Sequence, residues 1–255
     1  MQLRVLGCSG GIRRGAHTTA LMVDDDILID SGSGVGELEL EEMANLRHMF
    51  LTHSHLDHIA FLPLLLDSLF DQLSEPMTVY AQPATLQALR SHVFNWVVWP
   101  DFTELPSPDR PVVRLESMEP GEVRHLGDRA VEMLPAHHAV PAAGYRIESG
   151  ERALAFTGDC TTNDVLWTAL NARDRLDHLI VEAAFPNEQE ELAGAARHYT
   201  PRMLGEDLAK LRHEPVIWIT HRMPGKEARI LEECRRAAPG LDIRPLVDGE
   251  VLPLW

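Results

Sequence analysis

The segment Thr52-His53-Ser54-His55-Leu56-Asp57-His58 gathers three histidines and an aspartate within six residues. Imidazole and carboxylate groups are ligands for zinc, manganese or iron. His53 and His55 can face the same way from an extended turn. Asp57 and His58 open the next helical stretch and could point at a second ion beside the first. The run directly follows the apolar residues 49–51, and strand-end loops are where a rigid scaffold aims several side chains at one point. A solvated histidine-rich loop would need neither the aspartate at this spacing nor apolar flanks on both sides.

One such motif cannot close two sites, because each ion takes about three protein ligands plus an open or water-filled position. Further candidates stand at later strand ends. His137 and His138 follow the strand expected over 130–134. Asp159 follows Leu154-Ala155-Phe156-Thr157-Gly158, and His221 follows the apolar run 216–220. Taken singly, each is most simply a polar turn residue. The order His-x-His-x-Asp-His, His, Asp, His is specific only when they are taken together.

The elements that must position these side chains alternate along the chain. Strands are expected over 3–6, 20–23, 27–30, 49–52 and 77–81. Apolar spacing at Ile59, Leu62, Leu65, Leu66 and Leu69 predicts one helix from about 58 to 73. Other helices are expected over 36–45 and over 83–93, the latter with proline in its first turn. Four prolines between 100 and 111 make a loop. Strands over 112–115, 122–125, 130–134, 144–147 and 153–157 follow. Then come a helix near 163–171, a strand at 178–182, a helix at 201–211, a strand at 216–220 and a helix at 226–237. Such mixing in both halves fits an α/β fold, two mixed sheets packed face to face with helices outside, a four-layer αββα sandwich.

Composition narrows the function. The 255 residues suffice for one large α/β domain, and 45% hydrophobic with 24% charged residues is ordinary for a globular chain. There is no apolar run long enough to span a membrane. Residues 1–7 read as a strand and turn rather than a signal peptide, so the expected compartment is the cytoplasm. Cys8, Cys160 and Cys234 are too scattered for a disulfide framework and read as small buried hydrophobes. A formal charge of -16 disfavours gripping long RNA or DNA. A small anionic substrate stays open, because local metal charge can dominate a site.

The 53–58 run with its later partners resembles the metallo-β-lactamase superfamily, over nearly the whole chain. The resemblance implies a single domain over 1–255 and two divalent metal ions, zinc foremost, with manganese or iron also suited. It assigns His53, His55 and His138 to one ion, and Asp57, His58 and His221 to the other, with Asp159 bridging. A hydroxide between the metals would be the nucleophile. His138 is preferred to His137 because His138-Ala139-Val140-Pro141 is similar to a segment of the phosphodiesterase branches. The sequence is more similar still to class II cyclic-nucleotide phosphodiesterases. His53 to Ile59, the aromatic segment 94–102, the stretch 179–187 and His198-Tyr199-Thr200-Pro201 carry that likeness. The sequence departs from the class at Phe61 and at Cys160. By the same resemblance, Glu182 and His198 form a carboxylate–histidine pair that delivers a proton to a leaving alkoxide, so that Asp57, Glu182 and His198 are the expected catalytic residues. Of the aromatic segment, Phe94 and Trp96 are expected in the core, while Trp99 and Phe102 could lie in either core or pocket.

The function implied is hydrolysis of 3′,5′-cyclic nucleotides, cyclic AMP or cyclic GMP, to 5′-monophosphates. The expected partners are a small anionic substrate and a second copy of the chain, with no long nucleic acid and no membrane. Alternatives are tRNA 3′ processing, or hydrolysis of a carboxylic ester, lactone, thioester or lactam on the same metals. The short interval between His138 and Asp159 leaves no room for a tRNA-gripping arm. A metal-binding protein without catalysis is the remaining alternative.

Overall fold

Leu179, Ile180 and Val181 in one segment, and Ile217 and Ile219 in another, are almost completely buried. Apolar, β-branched runs of this length are what strands covered on both faces require. They form adjacent parallel strands, His178–Glu182 and Val216–Thr220. The computed structural model describes residues 1–253, and these two strands lie in one of its two seven-stranded sheets. That sheet runs, edge to edge, Ile243–Pro245, Val216–Thr220, His178–Glu182, Arg152–Phe156, Pro141–Ser149, Arg129–His137 and Val123–Leu126. The other runs Val251–Pro253, Gln2–Gly7, Ala20–Val23, Ile27–Ile29, His48–Phe50, Met77–Ala81 and Val113–Ser117. Both are mixed, each pairing parallel and antiparallel neighbours.

Three apolar layers hold the sheets and helices together. Leu3, Val5, Leu21 and Phe50 of one sheet pack against Tyr145, Phe156 and Ile180 of the other. Leu28 and Met49 turn outward onto Leu62, Leu66 and Leu86 of flanking helices. On the far side, Leu179 and Val181 meet Trp167, Leu204 and Ile230. Helix, sheet, sheet, helix is the expected four-layer sandwich. None of the helices among the described residues is long and apolar enough to cross a membrane.

Several expected elements differ. The helix expected over 58–73 is two, Leu56–Ile59 and Leu62–Ser68. Pro63 stands in the first turn of the second, and a proline cannot continue a helix already running through it. Ile59, Leu62, Leu65, Leu66 and Leu69 are all buried nonetheless, so the apolar stripe crosses the break. The helix expected over 36–45 shrinks to Leu40–Met43, after a 3-10 turn at Ser33–Glu37. Helix Glu190–Ala196 and the edge strands Ile243–Pro245 and Val251–Pro253 were not expected. Phe94 is in the core as expected and Phe102 joins it, but Trp96 is 59% exposed, with φ 63°. Asn95 Oδ1 accepts from the amides of Val97 and Val98, a turn that throws the indole outward.

One buried carboxylate ties the second helical layer together. Asp207 accepts from Tyr199 Oη at 2.6 Å and Trp167 Nε1 at 3.0 Å, and pairs with Lys210 at 2.6 Å. Asp207→Ala strands three buried donors, the Asn163 amide at 3.3 Å as well as the Tyr199 hydroxyl and the Trp167 indole, which should cost about 3 kcal/mol of stability. Urea unfolding should show a lower midpoint at unchanged slope, with Asp207→Asn, which keeps an acceptor oxygen, losing less.

Candidate metal centre

Every element that supplies the centre ends at the same edge of the sandwich. Parallel strands Ile27–Ile29 and His48–Phe50 lead to Asp30 and to Thr52-His53. Parallel strands Arg152–Phe156, His178–Glu182 and Val216–Thr220 lead to Asp159, Glu182 and His221. Strand Arg129–His137, which runs alongside in the same direction, delivers His138. The sheets touch here: the amide of Ala143 donates to the carbonyl of Thr52, at 2.9 Å. Gly158 has φ 64°, and a Cβ on it would lie 2.6 Å from the Ala143 carbonyl, so the approach requires glycine.

Ligand-capable atoms converge in groups. His53, His55 and His138 form one, and Asp57, His58, Asp159 and His221 another, with all atoms within 4.8 Å in each. His55 Nδ1 and His138 Nε2 are 3.2 Å apart. A single oxygen of Asp159, Oδ2, lies 3.2 Å from His221 Nε2, 3.3 Å from His58 Nε2 and 3.8 Å from His53 Nε2, so it faces both groups. Asp57 Oδ2 lies 3.1 Å from His221 Nε2. A third grouping, His138, Asp159 and His198, extends from the first two.

The back of the rings is fixed while the front is left open. His58 Nδ1 meets Asp30 Oδ2 at 2.7 Å, His53 Nδ1 meets Thr52 Oγ1 at 3.0 Å, and His138 Nδ1 meets the Arg197 carbonyl at 2.9 Å. The buried Nε2 atoms of His53 and His58 have no hydrogen-bond partner. A lone pair aimed at the centre, with the opposite ring nitrogen anchored, is how metal-binding histidines are oriented. The residues present therefore fit divalent cations.

Charge agrees with this fit. Burial, reinforced by His58, pushes His53 well below the usual imidazole range, and burial also lowers His55 and His138. Burial would raise Asp57 and Asp159, but the neighbouring histidines hold both well below the carboxylate range. His58 is the exception. Burial opposes its charge, yet Asp159 and Asp30 hold it well above the ordinary value. Without a cation, a proton on His58 balances the carboxylates. A divalent ion would displace that proton.

Beside the cluster stands Glu182, wholly buried. Its Oε1 accepts from His198 Nδ1 at 2.7 Å and from the Cys160 amide at 3.0 Å. Its Oε2 accepts from the amides of Ala184 and Tyr199. The His198 ring stacks on His221, with centroids 5.3 Å apart, and stands 4.8 Å from that of His138. Burial works against a charged His198, but the Glu182 carboxylate lifts it to about 9.

All the residues singled out from the sequence converge at this edge, and His137 is exposed at its border. The Cys160 side chain is buried in the helical layer with Trp167 and Leu204, so that departure changes packing and not the cluster surface. Asp30, which anchors His58 and also accepts from the Thr52 amide and hydroxyl at 2.8 Å, was not expected. A carboxylate closing a wholly apolar strand was the signal available. Asp30 and His221 both take left-handed φ, at 59° and 54°, and strained non-glycine backbone gathers at functional sites. Gly10 makes room for the second, since a Cβ there would lie 2.6 Å from the His221 carbonyl.

Comparison with known proteins gives three kinds of likeness. The sequence model described as a β-lactamase superfamily domain matches residues 26–221. A Yersinia pestis protein named probable 3′,5′-cyclic-nucleotide phosphodiesterase is 32% identical over 179 residues, 64% of this chain and 50% of its own length. A ribonuclease Z of Halorubrum lacusprofundi is 31% identical over 165 residues, 60% of this chain and 49% of its own. The chain thus spans about half the length of these curated relatives. The crystal structure of unliganded yeast PDE1 superposes with a TM-score of 0.82 at 20% identity, over 98% of both chains, a likeness of fold.

Proposed function

This chain belongs to the β-lactamase superfamily, and on that premise we propose that it is a dinuclear-metal phosphodiesterase hydrolysing 3′,5′-cyclic nucleotides to 5′-monophosphates. The observation that carries the proposal is the Glu182–His198 pair, 2.7 Å apart and stacked against the cluster. The alkoxide that a phosphodiester loses takes up a proton as it departs, and a histidine held by a buried glutamate beside the cluster can supply it.

In this reading His53, His55 and His138 would hold one ion and Asp57, His58 and His221 the other, with Asp159 available to both. Zinc is the metal proposed, because five imidazoles and two carboxylates suit it. Two divalent cations held there would acidify water and neutralise phosphate oxygens. Asp30, Thr52 and the Arg197 carbonyl keep the histidine lone pairs aimed inward. Glu182 holds His198 by Nδ1, leaving the Nε2 proton to pass to the departing 3′ oxygen. Three free, buried cysteines suit a reducing compartment, and we place the enzyme in the cytoplasm.

A small substrate is favoured over tRNA by the connections between candidate ligands. Strands Arg129–His137 and Pro141–Ser149 join through a tight turn, and Arg152–Phe156 follows at once, so no arm emerges between His138 and Asp159. The charge of -16 points the same way. The likeness to ribonuclease Z makes a precursor tRNA the necessary competitor. Turnover of cyclic AMP, cyclic GMP, bis(p-nitrophenyl) phosphate and a precursor tRNA with a 3′ trailer is measured with zinc or manganese. Cyclic-nucleotide hydrolysis with intact tRNA is the expected result. Trailer cleavage without cyclic-nucleotide turnover would replace the substrate assignment, and inactivity on every phosphodiester would remove the proposal.

A further inference from the structure

Helix Glu190–Ala196 ends in a tight turn. The amide of Arg197 bonds the carbonyl of Gly194 at 3.3 Å, and that of His198 bonds the carbonyl of Ala193 at 2.9 Å. This pair of bonds closes a helix around one residue in the left-handed region, a place usually taken by glycine. Here Arg197 occupies it, at φ 56°. A side chain there is strained, so its retention calls for a use.

The guanidinium supplies that use. Its Nη1 donates to the carbonyl of His138 at 3.0 Å and lies 3.1 Å from Nε2 of His137. In the opposite direction, the Arg197 carbonyl accepts from His138 Nδ1 at 2.9 Å. One residue thus grips His138 by both its main chain and its ring. The next residue in the chain is His198, whose ring stands 4.8 Å from that of His138.

We propose that Arg197 is a positioning residue whose guanidinium locks the 137–138 turn onto the 197–198 turn, fixing the aim of His138 toward His53 and His55. The inference rests on the two-metal reading of the cluster. Partners that hold a ligating histidine from behind govern the affinity of the site it serves.

Arg197→Gly separates this role from a merely structural one. Glycine is the preferred residue at this helix end, so the turn and the carbonyl that holds His138 Nδ1 survive and only the guanidinium is lost. Zinc binding to wild type and variant is followed by competition with a chromophoric chelator, alongside thermal unfolding of the same metal-free samples. One of the two sites should weaken severalfold, by less than the roughly 10–100-fold expected for loss of the ring's own partner, which this variant keeps, and the other stay as in wild type. The metal-free variant should melt at or above the wild-type temperature. Arg197→Lys, which can still reach the His138 carbonyl, should recover part of the loss. Zinc affinities equal to wild type overturn the inference. So does weakening at both sites with a lowered metal-free melting temperature, which marks general loosening. If Arg197→Gly does not fold, Arg197→Asn, whose short side chain tolerates the left-handed region, is judged by the same outcomes. A wild type that fails to bind two zinc ions instead sinks the two-metal reading itself.

Discussion

Replacing His198 with alanine should slow hydrolysis of cyclic AMP by about 10²–10⁴-fold, the range for loss of a positioned general acid, with both metals still bound. The expectation follows from three features acting together. Glu182 is buried with both oxygens engaged, so it cannot turn away from His198. Its carboxylate accepts from His198 Nδ1 and favours the charged imidazole. The ring stacks on His221, beside the atoms proposed to hold the metals. A second substrate isolates proton donation from other losses. The p-nitrophenolate leaving group of bis(p-nitrophenyl) phosphate needs no proton, so His198→Ala should slow that reaction far less. Equal losses on both substrates would mean that His198 holds the site together or steadies a phosphate oxygen, and does not donate. A role for His198 as a cap for helix Pro201–Leu208 finds no support in the geometry, because the cap position belongs to Thr200 and has no side-chain cap bond.

How much of this was legible in the sequence depends on where each residue finds its partner. His53, His55, Asp57 and His58 lie within one turn and the start of one helix, so their spacing carries their geometry. His138, Asp159 and His221 could be read only as strand ends, because what joins them is the alignment of parallel strands far apart in sequence. Asp30 and Arg197 act across the fold, on His58 and His138, and no local pattern announces a partner 28 or 59 residues away. The long helix expected over 58–73 failed for a different reason. Apolar periodicity reports which face is buried, and that face is continuous across Ala60 and Phe61, so only Pro63 marked the restart. Trp96 shows the limit of composition, since a large aromatic residue reads as core until a turn such as that at Asn95 points it outward.

Removing the metals should abolish turnover and markedly lower the melting temperature. In the metal-free centre Asp57 and the buried Asp159 converge on the same histidines, and a proton on His58 offsets their charge. The Nε2 atom of His53 is buried without a hydrogen-bond partner, a cost that coordination would relieve. Free zinc at a hundredfold excess over its dissociation constant contributes about 2.7 kcal/mol per site. Two sites in a chain of this size should therefore raise the melting temperature by roughly 10–20 °C. Calorimetry of chelator-treated and zinc-reloaded protein, with metal content measured on the same samples, tests the expectation. Asp159→Ala sharpens it. One oxygen of Asp159 faces His53, His58 and His221 together, so its loss should weaken both sites and remove most of the zinc-dependent rise. Loss of one metal with the other held at wild-type affinity would show that Asp159 serves a single ion. Chelated and reloaded protein that melt together and turn over alike would rule out the metal centre.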